Sequence, residues 1–117
     1  MFRLLAFHQG RRLEREFFLE DGRTSVLGRS GDCDIVTPWD AQISKRHVQL
    51  SAAGSQVSVL QVPGSANRIF TDGHSIESVQ LESGQSFVIG STRFELQQLT
   101  LSDSPGHAGG RPIQQLA

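Results

Sequence analysis

The sequence predicts an all-β domain, a sandwich or a barrel, on three observations. Turn residues recur about every 8 to 12 positions between short apolar or alternating runs, the spacing of a protein made of hairpins. No stretch keeps a 3.6-residue apolar period long enough to bury one face of a helix. The 117 residues are enough for one core, which at this length hides roughly two-thirds of the unfolded surface.

Phe2 to Phe7 forms a first apolar run, and Leu13 to Leu19 a second, separated by the polar break His8-Gln9-Gly10-Arg11. Two strands joined by a Gly-containing turn follow. Glu20-Asp21-Gly22 is a turn tripeptide, after which Thr24 to Leu27 makes a short strand that stops at Gly28. Ile35-Val36 is a brief strand ended by Thr37-Pro38, because Pro lacks the amide a ladder needs. His47 to Leu50 and Gln56 to Val62 alternate and pair through Ala52-Ala53-Gly54. Ile69-Phe70, Ile76 to Leu81, Ser86 to Ile89 and Thr92 to Leu99 complete the pattern, each bounded by Gly-containing turns. The expected core is Leu4, Phe17, Val26, Ile35, Val48, Leu50, Val57, Val59, Ile76, Phe87, Ile89, Phe94 and Leu96.

The division expected is a folded domain over 1–99 and a Gly, Pro and Ser-rich tail or linker over 100–117, where no periodic apolar face offsets the entropy of ordering. A net charge of -1 supplies no broad positive field, which argues against a general nucleic-acid binder and leaves only local anion recognition. One cysteine, Cys33, cannot form an internal disulfide, and no Cys/His cluster suggests zinc. Asp32 and Asp34 flank it, but neighbours in an extended loop point to opposite sides and rarely chelate together, so no metal and no cofactor is expected. No apolar run approaches the length of a membrane span, and a cytoplasmic, unanchored protein is the expectation.

Three places carry residues able to read an anion. Arg29 follows Gly28 at a strand end, where its guanidinium fork is presented from the rim and matches phosphate oxygens two at a time. The competing reading pairs it with Asp32 or Asp34. Ser44-Lys45-Arg46-His47 gathers a hydroxyl, two cations and an imidazole where a loop feeds a strand; the blander reading has Ser44 closing a turn, the cations solvated and His47 serving as a hydrogen-bonded strut. Asn67, in the turn-rich loop after Pro63-Gly64, either clamps the backbone of a bound peptide or caps its own turn.

Gly28-Arg29, then Ser44-Lys45-Arg46-His47 in the form S-x-x-H, then Ser65-Ala66-Asn67 resemble, in order and spacing, the pattern of the forkhead-associated (FHA) domain, which reads phosphothreonine peptides. Gly84 to Phe94, GQSFVIGSTRF, is similar to the last hairpin of that family, and the resemblance covers about Phe2 to Leu99. It implies an eleven-stranded β-sandwich of the FHA/SMAD type with ligand loops at one end. It further implies that Arg29 and Ser44 bind the phosphate, Lys45 flanks it and Asn67 bonds the peptide backbone, with Ser30 and Arg68 as auxiliaries and Gly28 and His47 as structural supports. Flanking peptide residues would be read by the loops around Asp40 and Asn67. Two departures stand out: Ala66 replaces a hydroxyl residue, and Arg68-Ile69 replaces Gly-Thr. The run S-A-N-R-I-F, with Trp39 to His47 as W-D-x-x-I-S-x-R-H, is similar to modules in bacterial signalling proteins with kinase, cyclase or transcription-regulator domains.

The function expected is a phosphothreonine-dependent binding module in bacterial-type kinase signalling. Its partner would be a phosphothreonine protein, a Ser/Thr kinase substrate, with neither nucleic acid nor membrane involved and with fusion to, or pairing with, a signalling domain. The alternative is a phosphate-independent scaffold or oligomerisation domain of a secretion or regulatory assembly, toward which Ala66 points. No catalytic residue is expected: Ser44 and His47 would have to act as nucleophile and base, yet no G-x-S-x-G elbow exists and a strand-end strut is poorly placed for base duty.

Overall fold

A computed structural model describes residues 1–99 of the chain; the expected tail over 100–117 lies outside the described residues. Eleven strands are present: β1 (Phe2–His8), β2 (Arg11–Leu19), β3 (Thr24–Gly28), β4 (Ile35–Val36), β5 (Val48–Ala53), β6 (Gln56–Gln61), β7 (Ile69–Thr71), β8 (His74–Ile76), β9 (Ser78–Glu82), β10 (Ser86–Ile89) and β11 (Thr92–Gln98). They form two sheets, ordered β2-β1-β11-β10-β7-β8 and β4-β3-β5-β6-β9, which pack as a β-sandwich. Among the described residues there is no helix, and so none long and apolar enough to cross a membrane.

Turn chemistry explains the hairpins. Gln9-Gly10 and Asp72-Gly73 each place two consecutive residues at positive φ, 53° and 80° in the first, 50° and 77° in the second. That backbone twist matches the right-handed twist of the strands it joins. The core between the sheets is apolar and contiguous, with Phe2, Leu4, Leu27, Ile43, Leu50, Ile69, Phe87, Phe94 and Leu96 fully buried. Burying each such side chain contributes about 1.5–3 kcal/mol. Phe87 and Phe94 stack across the β10–β11 pair with ring centres 5.2 Å apart.

Sequence reasoning erred at three points. The run Ile76 to Leu81 is two strands: β8 pairs with β7 in one sheet and β9 with β6 in the other, the chain crossing at Glu77, whose carbonyl accepts the Gln61 amide at 2.8 Å. A continuous apolar run does not reveal which sheet each half joins. Val26 is only half-buried, whereas Ser25 and Leu27 face inward. The reason is register: Ser25 lies opposite Leu50 and Leu27 opposite Val48, and cross-strand partners share a face. Ile76, on the edge strand β8, packs against the core only in part.

The same registers decide where the loops emerge. Leu27 pairs with Val48, Val48 with Gln61, Ile69 with Ile89 and Ile89 with Thr92, which lies opposite His8. Segments 29–34, 37–47 and 62–68 therefore leave one end of the sandwich, together with the tight turns 9–10 and 90–91.

Candidate functional site

The site begins at a glycine. A Cβ on Gly28 would lie 2.1 Å from the Lys45 carbonyl oxygen and 2.9 Å from Arg46 Cα, so only Gly lets β3 run this close to the 44–47 segment. The approach is stitched by backbone bonds: Arg29 N–H to the Ser44 carbonyl at 3.0 Å, Ser30 N–H to that of Lys45 at 3.1 Å, and His47 N–H to that of Leu27 at 2.9 Å.

Arg29 is exposed, and its Nε–H donates to the Ile43 carbonyl at 2.7 Å. The competing pairing with Asp32 or Asp34 is not found. Asp34 accepts the Val26 amide at 2.9 Å, and Asp32 lies 3.6 Å from Arg46. The hydroxyl of Ser30, and the Arg46 charge after it, hold the Asp32 carboxyl below its ordinary range. Among the described residues Arg29 makes no ion pair, so both terminal nitrogens of its fork stay available. Lys45 is likewise exposed and without an ion pair among the described residues. Cys33 is a buried small side chain whose thiol donates to the Lys45 carbonyl at 3.0 Å; burial, with the Asp32 charge, pushes the thiol up.

His47 is fully buried and ties the two long loops together. Its Nδ1 accepts the Ser44 amide at 2.9 Å, which fixes the tautomer and leaves Nε2–H to donate to the Asn67 carbonyl at 2.6 Å. Burial holds the imidazole below its ordinary value, in the neutral form these bonds require. Ser44 does not bond the ring through its hydroxyl. Its Oγ accepts the Ala66 amide at 2.8 Å, which leaves the hydroxyl proton to donate elsewhere. Both imidazole nitrogens engage main chain, so the pair is not arranged as nucleophile and base.

Asn67 spans the loops rather than capping its own turn: Nδ2 donates to the Gln42 carbonyl at 2.6 Å. With Gln42, Ala66, Arg68, Phe70 and Gly90 it lines a shallow groove of about 340 Å³. Arg68 reaches sideways, its Nε donating to Ser75 Oγ at 2.7 Å. Arg29 and Ser44 do not line that groove; they sit where the 29–34 and 37–47 segments are stitched together.

Asp40, in the same loop as Ser44, is only 3% exposed. Its carboxylate accepts the amides of Gln42 and Ser91, both at 2.9 Å, and the Thr92 hydroxyl at 2.7 Å. Burial alone would raise this carboxyl, and the three bonds outweigh it, leaving it below its ordinary value. Nothing in the sequence marked Asp40 as buried; an Asp beside Trp in a polar loop reads equally well as a solvated turn residue.

No curated protein matches the sequence. Solved structures do match in fold. The FHA domain of the CT664 protein from Chlamydia trachomatis is 26% identical with a TM-score of 0.73, over 85% of this chain and 98% of that one. The FhaA FHA domain, solved in complex with the intracellular domain of Rv3910, is 20% identical with a TM-score of 0.70, over 83% of this chain and all of that one. The MEK1 FHA domain, solved with a phosphothreonine peptide of HOP1, is 15% identical with a TM-score of 0.62, over 80% of this chain and 94% of that one. With its two-sheet sandwich and its Gly28-Arg29, Ser44-to-His47 and Asn67 loops gathered at one end, the chain matches the family model of the FHA domain over residues 25–90, more than half its length, and belongs to that family.

Proposed function

We propose that this domain binds phosphothreonine peptides, with Arg29 and the Ser44 hydroxyl on the phosphate, Lys45 beside it and Asn67 on the peptide backbone. The observation that carries this reading is the state of Arg29: held at Nε by the Ile43 carbonyl, yet with no carboxylate among the described residues on its terminal nitrogens. A guanidinium prepared in this way loses little freedom on meeting a dianion. Ser44 supports it, since its Oγ lone pair is engaged by Ala66 and its proton is free for a phosphate oxygen. Ser30 and Arg68 are auxiliaries, and Gly28 and His47 hold the loops. Solved relatives accord with the reading: one is an FHA domain with a phosphothreonine peptide, another comes from work on phosphothreonine-dependent FHA interactions. The partner proposed is a phosphothreonine protein made by a Ser/Thr kinase.

Calorimetry or anisotropy with an oriented phosphothreonine library, beside phosphoserine and unphosphorylated controls, tests it. Arg29→Ala should weaken binding about 100-fold, because it removes a charge-assisted bidentate contact. An unchanged affinity would remove Arg29 from the site. One observation favours a phosphate-independent scaffold instead: Ala66 has no hydroxyl and its amide is already committed to Ser44. Equal binding of phosphorylated and unphosphorylated partner would establish that second reading.

A further inference from the structure

The two side chains proposed to grip the ligand from either side are both held by one turn. Asn67 Nδ2 donates to the Gln42 carbonyl at 2.6 Å, and Arg29 Nε donates to the next carbonyl, that of Ile43, at 2.7 Å. Asn67 is 25 residues from Gln42 and Arg29 is 14 from Ile43. Neither bond can form by local folding alone, so the conformation of residues 40–43 sets where both side chains stand.

That turn is clamped from inside. The Asp40 carboxylate accepts the Gln42 amide through Oδ1, while Oδ2 accepts the Ser91 amide and the Thr92 hydroxyl on the β10–β11 hairpin of the opposite sheet. The Thr92 hydroxyl in turn accepts Trp39 Nε1–H at 3.1 Å and lies 3.1 Å from His8 Nδ1. The only cationic candidate facing the carboxylate among the described residues is His8, at 3.8 Å. On the other side, Ile43 N–H closes on the Asp40 carbonyl at 3.2 Å, and the Ile43 side chain is fully buried in the core. A buried carboxylate with three donors is stable only while all three remain aimed at it.

We propose that Asp40 is a positioning residue for the ligand loops: it fixes residues 40–43 against the β10–β11 hairpin so that two successive carbonyls hold Arg29 and Asn67 ready for a phosphothreonine peptide. The proposal rests on the phosphothreonine reading above and adds to it a residue that never meets the ligand. Asp40→Asn keeps size and shape but replaces one acceptor oxygen with an amide donor, which must oppose either the Gln42 amide or the donors of the hairpin.

The test uses the whole 117-residue chain. Affinity for the best phosphothreonine peptide from the oriented library is measured beside two ligand-free nitrogen-proton NMR signals, Arg29 Nε–H and the Asn67 side-chain amide. Asp40→Asn should weaken binding about tenfold, while both signals move to the positions of unbonded groups and unfolding stays cooperative. The same substitution on an Asn67→Ala background should cost less than it does on the native chain, because the two act through one turn. Unchanged affinity, or reduced affinity with both signals unmoved, overturns the proposal. If Asp40→Asn does not fold, Thr92→Val removes one of the three donors to the carboxylate, together with the acceptor of Trp39 Nε1–H, and should give about a threefold loss with the same signals displaced; unmoved signals there count equally against it. A native chain that binds no phosphothreonine peptide refutes the binding reading itself, and the two NMR signals then decide by themselves whether Asp40 holds the loops.

Discussion

The two ends of the sandwich solve the same connection problem in opposite ways. At the end away from the proposed site, the chain turns in short local steps: Arg23 N–H bonds the Glu20 carbonyl, Gln85 N–H that of Glu82, and Gly54-Ser55 closes β5 onto β6. Gly22, Gly54 and Gly84 there have positive φ, and a Cβ on any of them would meet nothing within 4 Å among the described residues. At the site end the loops are long and bonded to one another. His47 reaches Asn67, Ser44 reaches Ala66, Asn67 reaches Gln42 and Asp40 reaches Ser91. Two glycines at this end are crowded, while Gly10, Gly31 and Gly64 are not: Gly28 lies under Lys45, and a Cβ on Gly90 would lie 2.8 Å from Gln42 Cβ.

The difference teaches that this end is preformed at a cost. Buried polar side chains such as His47 and Asp40 stabilise the fold only while every partner is in place, whereas the far-end turns are tied to neighbouring strands through exposed or main-chain groups, Gly22 N–H to the Ala52 carbonyl at 2.8 Å and Gln98 Nε2 to that of Gly54 at 3.1 Å. The cross-loop bonds leave Arg29 without a carboxylate partner among the described residues, the prearranged state that the proposed phosphopeptide reading calls for.

Three substitutions or conditions sharpen the contrast. Gly28→Ala should be the most damaging, because its methyl meets backbone that cannot step aside; a loss of about 3 kcal/mol is expected in urea unfolding, together with weaker phosphopeptide binding. A loss no larger than that at an open glycine would show that the 44–47 segment moves freely. Gly84→Ala, at φ 90° with nothing nearby, should cost only about 1 kcal/mol for the left-handed backbone and leave binding unchanged. A binding defect there would mean the two ends are coupled through β10.

Acid supplies the third, absent at neutral pH. The folded state depresses the His47 pKa below its ordinary value of 6.5, so the unfolded chain takes up this proton first. The stability His47 contributes is therefore complete above pH 6.5 and declines as pH falls below it, where a protonated Nδ1 would oppose the Ser44 amide. Denaturant unfolding followed from pH 7.5 down to 5 should show this decline, and His47→Gln, which cannot protonate, should flatten it. Parallel pH profiles for the two proteins would remove His47 from the acid response.

Much of this was legible from residue order. Alternation in Gln56 to Val62, the Gly-marked turns and the lack of helical periodicity announce an all-β chain, because strand period and turn geometry are local properties. Arg29, Ser44 and Asn67 were legible as candidates because each stands at a strand end or in a loop with chemistry suited to an anion or a peptide, and because their order and spacing resemble the FHA pattern. Val26 misled, since the face a strand residue takes is set by pairing with β5 rather than by its own side chain. Ile76 to Leu81 misled for a related reason: one apolar run serves two sheets, and only the β7 and β6 partners divide it.

The sequence by itself determined the class of fold, the turns and the identity of the charged and hydroxyl groups at the loops, all consequences of near-neighbour stereochemistry. Only the tertiary structure decided that Arg29 has no acidic partner among the described residues, that His47 is neutral with its proton on Nε2, and that Asp40 faces inward. Each of those facts depends on a hydrogen bond between segments distant in the chain, formed because the pairing of β3 with β5 and of β10 with β11 brings the loops to one end of the sandwich.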